Sequence, residues 1–270
     1  MTGTGAPPLR PGRLSPPEPR SVPRARQPRP PETSPPAPPG PWIDDPYDLA
    51  VHAGRGPLFL RSLTDAAAGD ERLLPLDVEG WCAPPDRGDR SVLHRCEGPV
   101  LDIGCGPGRL VAALTGRGVP ALGIDVSPAA VARTRLLGGA AVRRSVFERL
   151  PGEGRWPTAL LMDGNVGIAG DPVALLARTR RLTAPGGLLL AEALAQDVDE
   201  RLLVRIEDAN GRHGPPFAWA RLGAAALLGA ARAAGWTAAD RWTLGTRCFL
   251  ALRNTPHAGP GTVAGGRLPG

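Results

Sequence analysis

VLDIGCGPGRL, residues 100–110, joins a short apolar run, a glycine turn and a helix start in eleven residues. Val100, Leu101 and Ile103 suit a central parallel strand buried on both faces. Gly104, Gly106 and Gly108 follow at every second position. Glycine there permits positive φ and lets a ligand approach the backbone without meeting a Cβ. From Arg109 to Leu114 the pattern becomes helical, so the N–H groups of residues 106–109 lie at a helix N-terminus, which attracts a carboxylate or phosphate. The turn therefore reads as the cradle of a small bound molecule.

The spacing separates two ligand classes. A dinucleotide fingerprint places glycine at its first, third and sixth positions. Counting from Gly104, the third is Gly106, but the sixth is Arg109 and the extra glycine falls fifth, at Gly108. With Asp102 two residues before the first glycine, the segment instead resembles motif I of the class I S-adenosylmethionine-dependent methyltransferases. That resemblance implies an α/β fold with a doubly wound, mainly parallel seven-stranded sheet of Rossmann-like order, S-adenosyl-L-methionine as cofactor, and donor contacts from Asp102, Gly104, Cys105, Gly106 and Gly108. Cys105 reads more simply as a small apolar filler.

The downstream chain carries further landmarks. ALGIDVSPAAV, residues 121–131, is a second apolar strand ending in Asp125, with Ser127 as N-cap and Pro128 at the first helical position. An acid at that strand end can accept both ribose hydroxyls, and the resemblance carries this role onto Asp125, with Val126 beside it. NAD enzymes place an acid similarly, so Asp125 alone does not separate the classes. A third strand is expected over residues 140–146. Where the family often has an acid for the adenine amino group this chain has Ser145, Val146 and Phe147, implying backbone, hydroxyl and apolar contacts instead. A fourth strand, ALLMD, ends at Asp163. Asp163, Gly164 and Asn165 then fall where the family places the loop beside the sulfonium and the methyl acceptor. A helix over about 171–182 and the run LTAPGGLLLAE, residues 182–192, lead into a fifth strand, and two last strands near 238–244 and 247–252 complete seven.

Composition divides the chain. Residues 1–41 hold 15 of the 33 prolines, six of the 32 basic residues and two of the 26 acids, too few apolar groups to bury a core, so a disordered arm is expected. PPETSPPAPP within it has the composition of a polyproline II docking segment. The other 229 residues, 26 basic and 24 acidic, are nearly charge-balanced, which removes the argument for a nucleic-acid surface. The four cysteines form no CxxC pair, and neither a zinc pattern nor a disulfide framework is present. No secretion signal or bilayer-length apolar run is seen, so a cytoplasmic location is expected.

Residues 42–98 read as a helical cap over the strand ends. There Arg55 and Arg61 are candidates for the methionine carboxylate, against a plain surface role, and His52 and His94 for a base, against packing. Residues 201–208, RLLVRIED, alternate as an edge strand or hairpin arm. His213, Phe217, Trp219 and Arg247 beyond it are candidate acceptor contacts, with core packing the alternative for Phe217 and Trp219. The domain reading is a 1–41 arm, a 42–98 cap, a 99–253 core and a flexible 254–270 tail.

Methyl transfer needs a base only where the acceptor must lose a proton, and the candidates are Asp163, His52 and His213. Enzymes acting on exocyclic amines of nucleic acids carry an Asn or Asp, two prolines and an aromatic after the fourth strand; this chain has Asp163, Gly164, Asn165 and Val166. The leading expectation is thus a methyltransferase with a small-molecule acceptor and no metal. An NAD-dependent oxidoreductase and a catalytically silent cofactor-binding or partner-docking protein are the alternatives.

Overall fold

The computed structural model describes residues 1–3, 45–64 and 72–255. The expected arm over 1–41 and the tail from residue 256 onward lie outside the described residues, apart from residues 1–3. In chain order the elements are α1 (Pro46–Ala53), β1 (Leu58–Ser62), β2 (Leu73–Leu76), α2 (Val78–Cys82), α3 (Arg87–Leu93), β3 (Val100–Ile103), α4 (Arg109–Thr115), β4 (Ala121–Asp125), α5 (Pro128–Leu136) and β5 (Ala140–Arg143). They continue with β6 (Trp156–Leu161), a 3-10 turn at Asn165–Gly167, α6 (Pro172–Leu182), β7 (Thr183–Ala193), β8 (Asp199–Asp208), β9 (Phe217–Leu222), α7 (Ala224–Ala233), β10 (Thr237–Leu244) and β11 (Arg247–Arg253).

Seven strands form one sheet in the order β10-β11-β7-β6-β3-β4-β5. β7, β6, β3, β4 and β5 run parallel, and β11 and β10 are antiparallel. All four residues of β3 are buried, as a strand covered on both faces requires. Leu101 and Ile103 face a core shared with α6 and α7 through Leu175, Leu176 and Leu227. Val100 faces the opposite core with Leu110 and Phe249. The helices start where caps dictate: Ser127 Oγ accepts the Ala130 N–H at 3.0 Å, and Asp171 Oδ1 accepts that of Ala174 at 3.0 Å.

The expected helical cap is only partly helical. Residues 58–62 and 73–76 form strands that join β8 and β9 in a separate antiparallel sheet, ordered β2-β1-β8-β9. Leu58, Leu60, Val204 and Ile206 bury its inner face with Val78 of α2. LFLRS alternates buried and half-buried residues, a period of two that rules out a helix there. The tail also starts later than expected. Asn254 is buried, and its Nδ2 donates to the carbonyls of Arg180, Thr183 and Ala184, so burial and bonding hold the chain beyond β11.

α4 and α5 meet through a glycine. Gly108 has φ +88°, and a Cβ there would lie 2.3 Å from Thr134 Oγ1. Gly108→Ala is expected to cost about 2–4 kcal/mol of stability, since strain and overpacking act together. A urea melt checks this, and a loss under about 1 kcal/mol would mean that the helices part freely.

Candidate functional site

The carboxyl ends of β3, β4, β6 and β7 open into a cavity of about 1070 Å³, roofed by the antiparallel sheet and α2. Ligands of open α/β sheets bind at these strand ends. The glycine turn, Asp125, Val126, Ser145, Val146, Phe147, Trp81, Phe217 and Trp219 all line it.

Gly104 and Gly106 both adopt positive φ, +71° and +52°. A Cβ on Gly104 would meet Asn165 Nδ2 at 2.6 Å, and one on Gly106 would stand 3.6 Å from the Tyr47 hydroxyl. The turn is therefore a cradle that only glycine leaves open. Asn165 is not a free ligand donor, because its Nδ2 is committed to Ile103 O at 3.1 Å and Gly104 O at 2.8 Å. It lines the cavity while fastening the loop after β6 to the turn.

Asp125 accepts the N–H of Gly106 on Oδ2 and that of Ser127 on Oδ1, each at 2.9 Å. Burial raises its pKa, with these backbone bonds pulling the other way. Each oxygen keeps a lone pair directed to further donors. Ser145 Oγ accepts the Phe147 N–H at 3.3 Å, which shapes the bend lining that end of the cavity.

Two expected contacts stand apart from the cavity. Gly108 does not line it; that glycine serves helix packing. Asp102 does not line it either. Asp102 is 2% exposed, and its Oδ2 has no hydrogen-bond partner among the described residues. Burial pushes its carboxyl up to about 7, with Arg109 opposing and Asp163, Asp125 and Asp89 adding to the rise. Cys105 lines the cavity, and burial holds its thiol well above the usual range, so it is an inert filler rather than a nucleophile.

Next to the glycine turn lies a charged cluster, since Arg109 directly follows Gly108. Arg109, 8% exposed, donates from Nε and Nη2 to Asp89 at 2.8 and 3.1 Å, and from Nη1 and Nη2 to Asp163 at 2.8 and 2.9 Å. Arg247 donates to both Glu192 oxygens at 2.8 Å, and to Asp86 and Asp89 at 3.0 Å. Glu192 also accepts the N–H of Asp163, a non-glycine residue at φ +55°. Burial pushes Asp89 up, but its bonds to Arg109 and the nearby Arg247 outweigh that and hold it below the usual carboxylate range.

The three candidate histidines, His52, His94 and His213, do not join this site. His52 and His213 are exposed and line no part of the cavity; the Nδ1 of His213 instead lies 3.2 Å from Gly214 O. His94 is exposed at the end of α3. Arg55 is exposed and away from the cavity, and Arg61 is paired with Glu207 at 2.7 Å in the roof sheet. Phe217, Trp219 and Arg247 do line the cavity.

Sequence reading missed Tyr47, Trp81, Asp86, Asp89 and Glu192. One signal was present: Asp86 and Asp89, three apart, form a capping box for α3. Another was Pro46 after Asp45, a helix start that places Tyr47. α1 is held down by Asp48, which accepts from Ser127 Oγ at 2.7 Å and Ala129 N at 3.0 Å.

A parallel sheet with an antiparallel final pair, a glycine cradle and a strand-end acid define a methyltransferase architecture. The chain belongs to the methyltransferase domain family, whose profile matches residues 77–238, and the dinucleotide reading is set aside. Over 97 residues it is 39% identical to a ubiquinone biosynthesis O-methyltransferase of Pseudomonas aeruginosa; this is 33% of the chain and 40% of that protein, so the match spans two fifths of the relative's length. A methyltransferase from Bacteroides fragilis, crystallised with S-adenosylhomocysteine, shares the fold with a TM-score of 0.62 at 22% identity, over 77% of this chain and 94% of that one. Another from Methanosarcina mazei gives 0.51 at 15% identity, over 64% and 99%. Among the described residues, no helix is long and apolar enough to cross a membrane.

Asp102 makes stability depend on pH. Its proton is held more tightly in the folded state, where the pKa is about 7, than in the unfolded one, near 3.8. Stability therefore falls as pH rises through this window. Asp102→Asn is expected to melt higher than the parent at pH 8 and to show a shallower decline from pH 4 to 8. Parallel melting curves for the two proteins would show that Asp102 is not the titrating group.

Proposed function

We propose that the protein transfers a methyl group from S-adenosylmethionine to a small molecule bound under the antiparallel roof. The observation that carries this reading is the single cavity joining the glycine cradle and Asp125 to an aromatic-lined chamber. The donor supplies a methyl group on a sulfonium, already activated for displacement. Asp125 binds the ribose hydroxyls. Ser145, Val146 and Phe147 enclose the adenine. Gly104, Cys105, Gly106 and Gly164 present backbone to the amino-acid portion, and Tyr47, whose hydroxyl burial keeps protonated, closes the site from above.

The remaining task is positioning. Trp81, Phe217 and Trp219 hold the acceptor and exclude water, which brings the reacting atoms to near-attack distance and lowers the barrier by several kcal/mol. Asp163 acts as a positioning residue. A carboxylate that takes two hydrogen bonds from one guanidinium is a poor proton acceptor, because protonation would strand the buried cation. The match to the Pseudomonas O-methyltransferase supports a small acceptor without naming it.

Asp125→Ala is expected to weaken S-adenosylhomocysteine binding by about 1.5–3 kcal/mol through lost charge-assisted hydrogen bonds, with the fold retained. Isothermal calorimetry measures this directly. An affinity equal to that of the parent would remove Asp125 from the ribose contact.

A further inference from the structure

The charged end of the cavity has a direction. Four carboxylates, Asp86, Asp89, Asp163 and Glu192, face two guanidiniums, Arg109 and Arg247, and all six residues line the cavity. The excess is two negative charges. Hydrogen-bond capacity is equally one-sided. Each guanidinium already makes four hydrogen bonds to carboxylate oxygens, of the five donors it owns. The carboxylates have lone pairs to spare: Asp163 Oδ2 accepts one bond, from Arg109, and Asp86 accepts on Oδ1 from Asp89 N and Arg247. A ligand here is met by acceptors and offered almost no donors.

The same cavity also has an apolar and aromatic lining. Trp81 stands 6.2 Å from Tyr47, and Phe217 meets Trp219 edge-on at 6.0 Å. Leu60, Leu76 and Ile206 complete the wall. Aromatic faces and excess carboxylate favour the same thing, an organic cation with N–H donors.

From this we propose that the acceptor is an apolar, ring-bearing amine, methylated on nitrogen. The inference rests on the donor reading above and specifies its substrate class. The bound ammonium first gives one proton to water; the free-base nitrogen so formed attacks the methyl carbon with its lone pair, an N–C bond forms, and the C–S bond breaks with its electron pair passing to sulfur. Positive charge moves from sulfur to nitrogen, toward the carboxylates, and the product leaves as an N-methylammonium. A phenol fits poorly. The phenolate that must form before transfer would be repelled by the net negative charge of the cluster.

The test measures binding, so it does not depend on turnover. With S-adenosylhomocysteine saturating, tryptamine is titrated against tryptophol, which differs only in carrying a hydroxyl in place of the amine. Tryptamine is expected to bind about tenfold or more tightly. Equal binding, stronger binding of the alcohol, or no binding of either overturns the proposal. In Glu192→Gln, and separately in Asp86→Asn, the preference is expected to shrink about fivefold or more while S-adenosylhomocysteine affinity stays within about threefold of the parent. Two variants guard against a misfolded one, and a melting curve identifies it. If both variants instead lose S-adenosylhomocysteine affinity and keep the amine preference, the carboxylates hold the donor's own ammonium and the proposal fails. If the parent does not bind S-adenosylhomocysteine at all, the donor reading itself falls, a result separate from any amine preference.

Discussion

Arg109 is an unfavourable residue in a favourable place. It opens α4, where the helix dipole is positive and a cation is disfavoured. The guanidinium persists there, nearly buried, because Asp89 from the cap and Asp163 from the loop after β6 both bind it. One side chain thereby ties three segments together: the cap, the glycine-turn helix and the loop after β6. Removing either carboxylate partner would leave buried charge uncompensated, which is costly in any protein interior. The rest of the site is arranged around that constraint.

A second guanidinium extends the pattern. Arg247, at the start of β11, shares Asp89 with Arg109 and adds Asp86 and Glu192. The final antiparallel strand is thus connected electrostatically to the cap helix α3 as well as by backbone pairing to β7. Glu192 in turn holds the N–H of Asp163, so the left-handed residue in the loop is fixed from two sides. Backbone strain of this kind persists only where the surroundings over-determine it. The result is a rigid charged wall opposite a hydrophobic roof.

The roof is assembled from two stretches far apart in the chain. β1 and β2 precede the main sheet, while β8 and β9 follow its fifth parallel strand. Each is too short to stand alone, and together they bury one apolar face over the strand ends. The alternation in RLLVRIED announced a strand in that hairpin. The pairing partner in LFLRS carried an equally regular alternation, but an isolated five-residue apolar run reads ambiguously as helix or strand. Only its register against β8, with Leu60 opposite Ile206, decides the matter.

Local chemistry made the cradle legible in the chain itself. Gly104 and Gly106 announce positive φ, Asp125 ends an apolar strand, and Ser127–Pro128 starts a helix; each signal lies within a few residues of its effect. The seven-stranded order was implied by the family resemblance that these residues carry, and the sheet has it. What the chain did not disclose was which groups meet. Gly108 serves Thr134 rather than a ligand, Asp102 is buried behind the site, and His52 and His213 stay in solvent. The charged wall joins Asp86, Asp89, Asp163, Glu192 and Arg247 from α3 with its N-cap, β7, β11 and the loop after β6. Such a wall has no linear signature, because the Coulomb and hydrogen-bond terms that create it depend on distances set only when the sheet, the cap and the roof pack together.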